Sequence, residues 1–222
     1  MFKLDTTYLD YLTKYAQKFK KIEDPLKEIS KLGLQSSCTV YVYSGKTQWS
    51  GSGFHVGNGN IITASHVVPP DNTISQIKIS FDDKNFYDAE MLLSDPNAEV
   101  GIIYCEAAKK LIPPLQLGNS DTLEVGDLIV VVSSPEGFHD TVTFGRVSNI
   151  HQSVKNVELP AWQDIIFIDA DILEGSSGGM VLGTDGLVYG LVIGVAGQHA
   201  EIGVGEQSVC PSNKIKSLLS SV

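Results

Sequence analysis

From Gln35 onward the chain is interrupted so often by Gly, Pro, Asn and Asp that no long helix can form there. Between the interruptions lie short β-branched and apolar runs: “CTVYVYS”, “GFHVG”, “NIITA”, “QIKISF”, “YDAEMLL” and “VGIIYC”, then “DLIVVVSS”, “TVTFGRVSNI”, “DIIFIDA”, “GMVLG”, “LVYGLVIGV” and “GEQSVC”. Runs of this kind bounded by turn residues read as strands. The stretch “KKLIPPLQLGNSD” divides them into two similar sets, and its two prolines suit an extended linker. About a dozen short strands in two sets predict an all-β chain of two antiparallel barrels. The lobes are expected at about 35–115 and 116–210. “PSNKIKSLL” closes the chain as a helix over 211–221, with Ser212 or Asn213 as its cap.

Residues 1–34 have a different texture and are expected to form a helical extension. Tyr8, Leu12, Tyr15, Phe19 and Ile22 recur at steps of three and four, the period of one helical face. Pro25 is expected to end that helix. “EDPLKEISKLG” then predicts a second, short helix with Asp24 as N-cap and Gly33 just past its end. The apolar stripe either packs on the body of the protein or forms a contact between copies of the chain.

Sixteen basic against twenty-six acidic side chains leave a net charge of −10 with no basic block, which argues against nucleic acid as a partner. The run “GLVYGLVIGVAG”, Gly186 to Gly197, is too short to span a bilayer and reads as a buried strand pair. “MFKLDTTYLDYLTKYAQ” lacks the unbroken apolar region of an export signal. Cys38, Cys105 and Cys210 are odd in number and far apart, as expected of small core residues in a reducing compartment. Together these features predict a cytoplasmic location.

The chemistry turns on “LEGSSGGMV”, residues 173–181, which is either a flexible hinge or a turn that holds a serine hydroxyl against a carbonyl. A serine nucleophile needs a base within hydrogen-bond reach and an acid on the base's far nitrogen. His55, His139, His151 and His199 lie in or beside turn-rich stretches without a second ligand-like residue at short spacing, so no metal and no cofactor are expected. His66 differs, because “NIITASHVV” carries an apolar strand directly into a small-residue turn that presents the imidazole at a strand end.

The segments “GSGFHVGNGNIITASHVV”, “DPNAEVGIIYC”, “LGNSDTLEVGDLIVVVSSPEGFHDTVTFGRVSNI”, “DADILEGSSGGMVLG” and “PSNKIKSLL” resemble, in this order, the HtrA/Deg branch of the trypsin-like serine proteases. The resemblance covers most of residues 38–219. It implies two six-stranded barrels with an active site in the crevice between them, and an endopeptidase that acts on polypeptides through an acyl-enzyme. It makes His66 the general base and Ser177 the nucleophile. Gly175, Ser176 and Ser177 form the oxyanion hole, through the N–H groups of Gly175 and Ser177. Where the family usually has Asp before an apolar strand, this chain has Glu99, and Gly101 replaces the usual alanine. Glu99 is expected to accept the imidazole N–H, with Gly101 permitting a shifted strand, while Asp95 matches a non-catalytic aspartate.

For the substrate pocket the resemblance points to Asp171 and Ile172, with Leu191 and Ile193 on the opposite wall, and to cleavage after aliphatic residues over Lys or Arg. Family members often add PDZ domains. Here the sequence stops at Val222 after the closing helix, so recognition is expected from the crevice and loops or from a partner. Trimers are common in the family, and the stripe from Tyr8 to Ile22 is the expected contact. The alternative function is a binding module of the same fold that holds peptides without cleaving them.

Overall fold

Strands buried on both faces lose the polar alternation of a half-exposed sheet, and this chain has several. In the computed structural model, which describes residues 6–70, 73–135, 140–153, 160, 163–195 and 207–222, twelve strands follow the predicted runs. They are β1 (Ser37–Ser44), β2 (Thr47–Gly57), β3 (Asn60–Thr63), β4 (Gln76–Ser80), β5 (Phe86–Asp95), β6 (Val100–Tyr104), β7 (Leu128–Ser133), β8 (Thr141–Gln152), β9 (Ile165–Ile168), β10 (Met180–Gly183), β11 (Val188–Val195) and β12 (Gln207–Pro211). They close into two six-stranded barrels, ordered β1-β2-β3-β6-β5-β4 and β7-β8-β9-β12-β11-β10. The second order is the first shifted by six strands, so the two sets share one topology.

Successive residues of a strand point to opposite faces, and the cores follow that rule. Val40, Val42, Ile61, Ile79 and Ile103 form the core of the first barrel. Ile129, Val131, Ile166, Ile168, Val192 and Val209 form that of the second. The residues next to them in sequence, Ile62 and Ile102 of the first barrel and Val130, Val132 and Leu191 of the second, belong to a third cluster shared by both. “LIVVVS” is therefore unbroken because one face fills a barrel and the other seals the seam between barrels. “GLVYGLVIGVAG” does not form a strand pair: Val188–Val195 is one strand, between β10 and β12.

The helical extension also differs from expectation. Instead of two helices broken at Pro25, one helix, α1, runs from Thr6 to Ser36 with Pro25 inside it. The apolar spacing explains this, since Ile22, Leu26, Ile29 and Gly33 continue the same stripe past the proline. The Lys27–Glu23 pair at 2.7 Å spans it. Pro25 removes one helical hydrogen bond at a cost of about 3 kcal/mol. The C-terminal end of the stripe packs on the body, through Ile29 and against Val132 and Leu182, whose methyls lie 2.7–2.8 Å from where a Cβ on Gly33 would stand. Tyr15 and Ile22 are exposed. The short helix α2 (Ala108–Leu111) interrupts the linker, and α3 (Ser212–Leu219) closes the chain. Neither Ser212 nor Asn213 caps α3: Ser212 Oγ donates to the Gly118 carbonyl at 2.7 Å, and Asn213 Nδ2 donates to Asn119 Oδ1 at 2.7 Å. No described helix is long and apolar enough to cross a membrane.

The linker is fastened to the first barrel by His55, which is only 2 % exposed. Its Nδ1 donates to the Ile112 carbonyl at 3.0 Å, and its Nε2 accepts the Gly59 N–H at 3.2 Å. Only the neutral imidazole can do both, and burial lowers its pKa. The unfolded chain thus binds more protons, so stability is present above the unfolded value of about 6.5 and is lost as pH falls through the folded one. Urea midpoints should drop from pH 7 to pH 5, and the drop should shrink in His55→Gln. The same pH dependence in both proteins would exclude His55 as its source.

Candidate active site

Strand register brings the first two predicted site residues together. β3 pairs antiparallel with β6, Thr63 opposite Gly101, so the turn that follows β3 lies beside the residue that precedes β6. Ser65 N–H donates to the Glu99 carbonyl at 3.3 Å. Glu99 adopts φ +59°, a left-handed conformation that costs a residue with a side chain about 1–2 kcal/mol. Its carboxylate is held at both oxygens. Oε1 accepts from His66 Nδ1 at 3.2 Å, and Oε2 accepts from Ser65 Oγ at 2.9 Å and from the His66 amide at 3.2 Å. Nδ1 is the protonated nitrogen, because an ionised carboxylate can only accept.

Burial raises the Glu99 carboxyl pKa. The hydrogen bond and charge of His66, with the Ser65 hydroxyl and the His66 amide, outweigh that and hold it below the usual value. The side chain of Glu99 is 16 % exposed and that of His66 44 %, so the pair has one solvent-facing edge. A Cβ on Gly101 would stand 2.5 Å from Val68 Cγ2 and 3.0 Å from Thr63 Cγ2. The glycine thus permits the close approach of the His66 turn to β6. Asp95 closes the turn before Glu99, where its Oδ1 accepts the Asn97 N–H at 2.8 Å and its carbonyl accepts the Ala98 N–H at 3.3 Å.

The serine turn comes from the other barrel, just before β10. Ser176 N–H donates to the Leu173 carbonyl at 3.1 Å, Gly178 N–H to Val192 at 2.8 Å and Gly179 N–H to Ser176 at 2.8 Å. The amides of Gly175 and Ser177 make no hydrogen bond among the described residues. Gly175 and Gly178 have φ of +86° and +92°, which glycine adopts without strain. Ser52 of β2 ties this turn to the first barrel. Its N–H donates to the Ser177 carbonyl at 2.8 Å and its hydroxyl to the Gly175 carbonyl at 2.8 Å, while the Ser134 N–H donates to that hydroxyl at 2.8 Å. Nothing in the sequence distinguished Ser52 or Ser65, because a serine wired to distant backbone looks like any serine in a turn-rich chain. The Ser177 hydroxyl and His66 share no hydrogen bond in this structure.

The predicted pocket residues separate. Asp171, exposed, and Ile172, half-buried, line a cavity at the end of the second barrel. Leu191 and Ile193 do not: they are 0 % and 3 % exposed and pack in the seam between barrels. On β11, Leu191 stands opposite Met180 of β10 and Cys210 of β12, which belong to the same cluster. Of the other histidines, His151 pairs with Asp164 at 2.8 Å on the surface. His139 and His199 lie outside the described residues.

A family model, the trypsin-like peptidase domain, matches residues 51–191. This chain is an HtrA-like member of the trypsin-like peptidase family. It is 34 % identical over 174 residues to the periplasmic serine endoprotease DegP of Salmonella typhimurium, covering 78 % of this chain and 35 % of that protein. It is 35 % identical over 172 residues to the serine protease HTRA1 of Xenopus tropicalis, covering 77 % and 35 %. The chain thus spans about a third of the length of these relatives. The HtrA-type protease AlgW with tripeptide shares the fold, with a TM-score of 0.76 at 23 % identity, over 88 % of this chain and 62 % of that one.

The DegP relatives of this HtrA-like domain are periplasmic by name, which points to a periplasmic or secreted location and overturns the cytoplasmic expectation. The cysteine argument for a reducing compartment fails on physical grounds. All three cysteines are free and buried, and burial raises their thiols, that of Cys210 to about 12. Shielded thiols of this kind do not report the redox state outside.

Proposed function

We propose that this domain is a serine endopeptidase in which Ser177 is the nucleophile, His66 the general base and Glu99 the group that orients and stabilises the imidazole. The observation that carries the reading is the grip of Glu99 on His66, which fixes the proton on Nδ1 and leaves Nε2 as an acceptor. His66 Nε2 takes the Ser177 proton as Oγ attacks the peptide carbonyl, then delivers it to the leaving amine. Water hydrolyses the resulting acyl-enzyme by the same route. The amides of Gly175 and Ser177 bind the oxyanion. One such donor is worth on the order of 3 kcal/mol of transition-state stabilisation. The substrate is a polypeptide held in extended form between the barrels.

A fluorophosphonate should label the folded protein at Ser177, and Ser177→Ala should abolish the labelling. The missing Ser177–His66 hydrogen bond favours one alternative, a module that binds peptides without cleaving them. That bond is often long before substrate binds and tightens only in the complex. Saturable peptide binding by a folded protein that is neither labelled nor turns over peptide would establish the alternative instead.

A further inference from the structure

Ser52 stands where the two barrels meet, and each of its polar groups is committed. β2 pairs with β3 from Phe54 onward, so the Ser52 backbone lies past that ladder and meets the serine turn instead. Its N–H donates to the Ser177 carbonyl at 2.8 Å, and its own carbonyl accepts from Thr63 Oγ1 at 2.7 Å. A hydroxyl has one proton to give, and a carbonyl can only accept. The Ser52 proton therefore goes to the Gly175 carbonyl at 2.8 Å, while the Ser134 N–H donates to Ser52 Oγ from the other side at 2.8 Å. Ser52 is 1 % exposed, so water does not compete for these bonds. Gly51 lets the strand come this close, since a Cβ there would stand 2.5 Å from Val67 Cγ2 and 3.1 Å from the Ser177 carbonyl oxygen. Val67 follows His66, so one stretch of β2 touches the turns of both residues.

We propose that Ser52 is a positioning residue whose hydroxyl aims the Gly175 and Ser177 amides at the oxyanion, a role that rests on the proposed serine chemistry. Gly175 has φ +86° and no side chain, so nothing of its own keeps its carbonyl from swinging round. The peptide that follows it is held at both ends, its carbonyl by Ser52 Oγ and its N–H, that of Ser176, by the Leu173 carbonyl at 3.1 Å. The peptide that follows Ser177 is held in the same way. Its carbonyl accepts from the Ser52 N–H, and its N–H, that of Gly178, donates to the Val192 carbonyl at 2.8 Å. The Ser177 amide lies between these two fixed planes, and the Gly175 amide lies next to the first. Ser52 thus sets the direction of both donors before substrate arrives, and oxyanion stabilisation depends on donors that need no reorganisation. Because the hydroxyl acts on the donors and not on the bound peptide, its effect falls on the transition state.

A peptide boronic acid with a valine side chain at the boron is the probe. Ser177 Oγ adds to the boron, His66 Nε2 takes the hydroxyl proton, and one oxygen of the resulting tetrahedral anion occupies the oxyanion position. In Ser52→Ala, boronate affinity and kcat should fall together by about thirtyfold, less than the loss of a whole donor, while KM stays within about threefold. The pH midpoint of kcat/KM should not move, because the Glu99–His66 pair is untouched. Ser52→Cys, with a weak S–H donor in place of the hydroxyl, should lie between the two, and it decides the question if Ser52→Ala does not fold. A folded Ser52→Ala with unaltered boronate affinity, a loss confined to KM, or a shifted pH midpoint would each overturn the proposal. Any of these in a chain whose unmodified form cleaves peptide would leave the protease reading standing. If no fluorophosphonate labels the unmodified chain, that reading falls and this role falls with it.

Discussion

Glu99→Gln should leave the fold intact and lower peptide turnover by about 10⁴-fold. The carboxamide can still accept from Ser65 Oγ and the His66 amide through its oxygen. Its NH₂ group then faces His66 Nδ1, which now has to accept. The proton moves to Nε2, and the nitrogen facing Ser177 loses the lone pair that should take the serine proton. The amide also carries no charge to support the imidazolium. Asp95→Asn is the control. The Asp95 oxygen serves the turn amide of Asn97, an acceptor role that Asn can fill, so turnover should stay within a few-fold of the unmodified domain. Steady-state kinetics on a peptide substrate, with circular dichroism to check folding, measures both. Glu99→Gln turnover within tenfold of the unmodified domain, or a large loss in Asp95→Asn, would mean that the acid has been misassigned.

Gly178→Ala should destabilise the domain by about 3 kcal/mol or more, a fall in melting temperature of roughly 10 °C for a chain of this size. A Cβ there would stand 1.9 Å from the Ser52 carbonyl oxygen and 2.5 Å from Thr63 Oγ1, on a backbone with φ +92°. The obstructing carbonyl cannot retreat easily. It accepts from Thr63 Oγ1 at 2.7 Å, while the amide of the same residue holds the Ser177 carbonyl. Gly45→Ala separates the two causes. Gly45 has φ +59° with nothing within 4 Å of its Cβ position, so that substitution should cost only the roughly 1 kcal/mol of left-handed backbone. Thermal unfolding of both variants tests the argument, and a Gly178→Ala melting point within 2 °C of the unmodified domain would refute it.

The fold was largely legible because strands and turns are local. Each apolar run between Gly, Pro, Asn and Asp became a strand, including runs without alternation such as “LIVVVS”. The turns that carry His66 and Ser177 were visible for the same reason, as short small-residue stretches beside apolar runs. Pro25 misled because a proline signals the loss of one hydrogen bond, while the stripe from Ile22 to Gly33 carries enough continuity to keep the helix going. The packing of Leu191 and Ile193 was not legible, because a strand's face cannot be assigned until its neighbours are known. Once β11 lies between β10 and β12, both side chains are committed to the seam.

Which segments are strands, and that they fall into two sets, could be read from the chain, because both depend on propensity and turn chemistry within a few residues. Tertiary structure alone decided three things. It set the register that places Glu99 against His66, made Ser52 the tie between the barrels, and brought Gln207 of β12 to the cavity lined by Asp171 and Ile172. Each joins residues tens of positions apart. Barrel closure fixes their separation, and no local pattern in the chain encodes it.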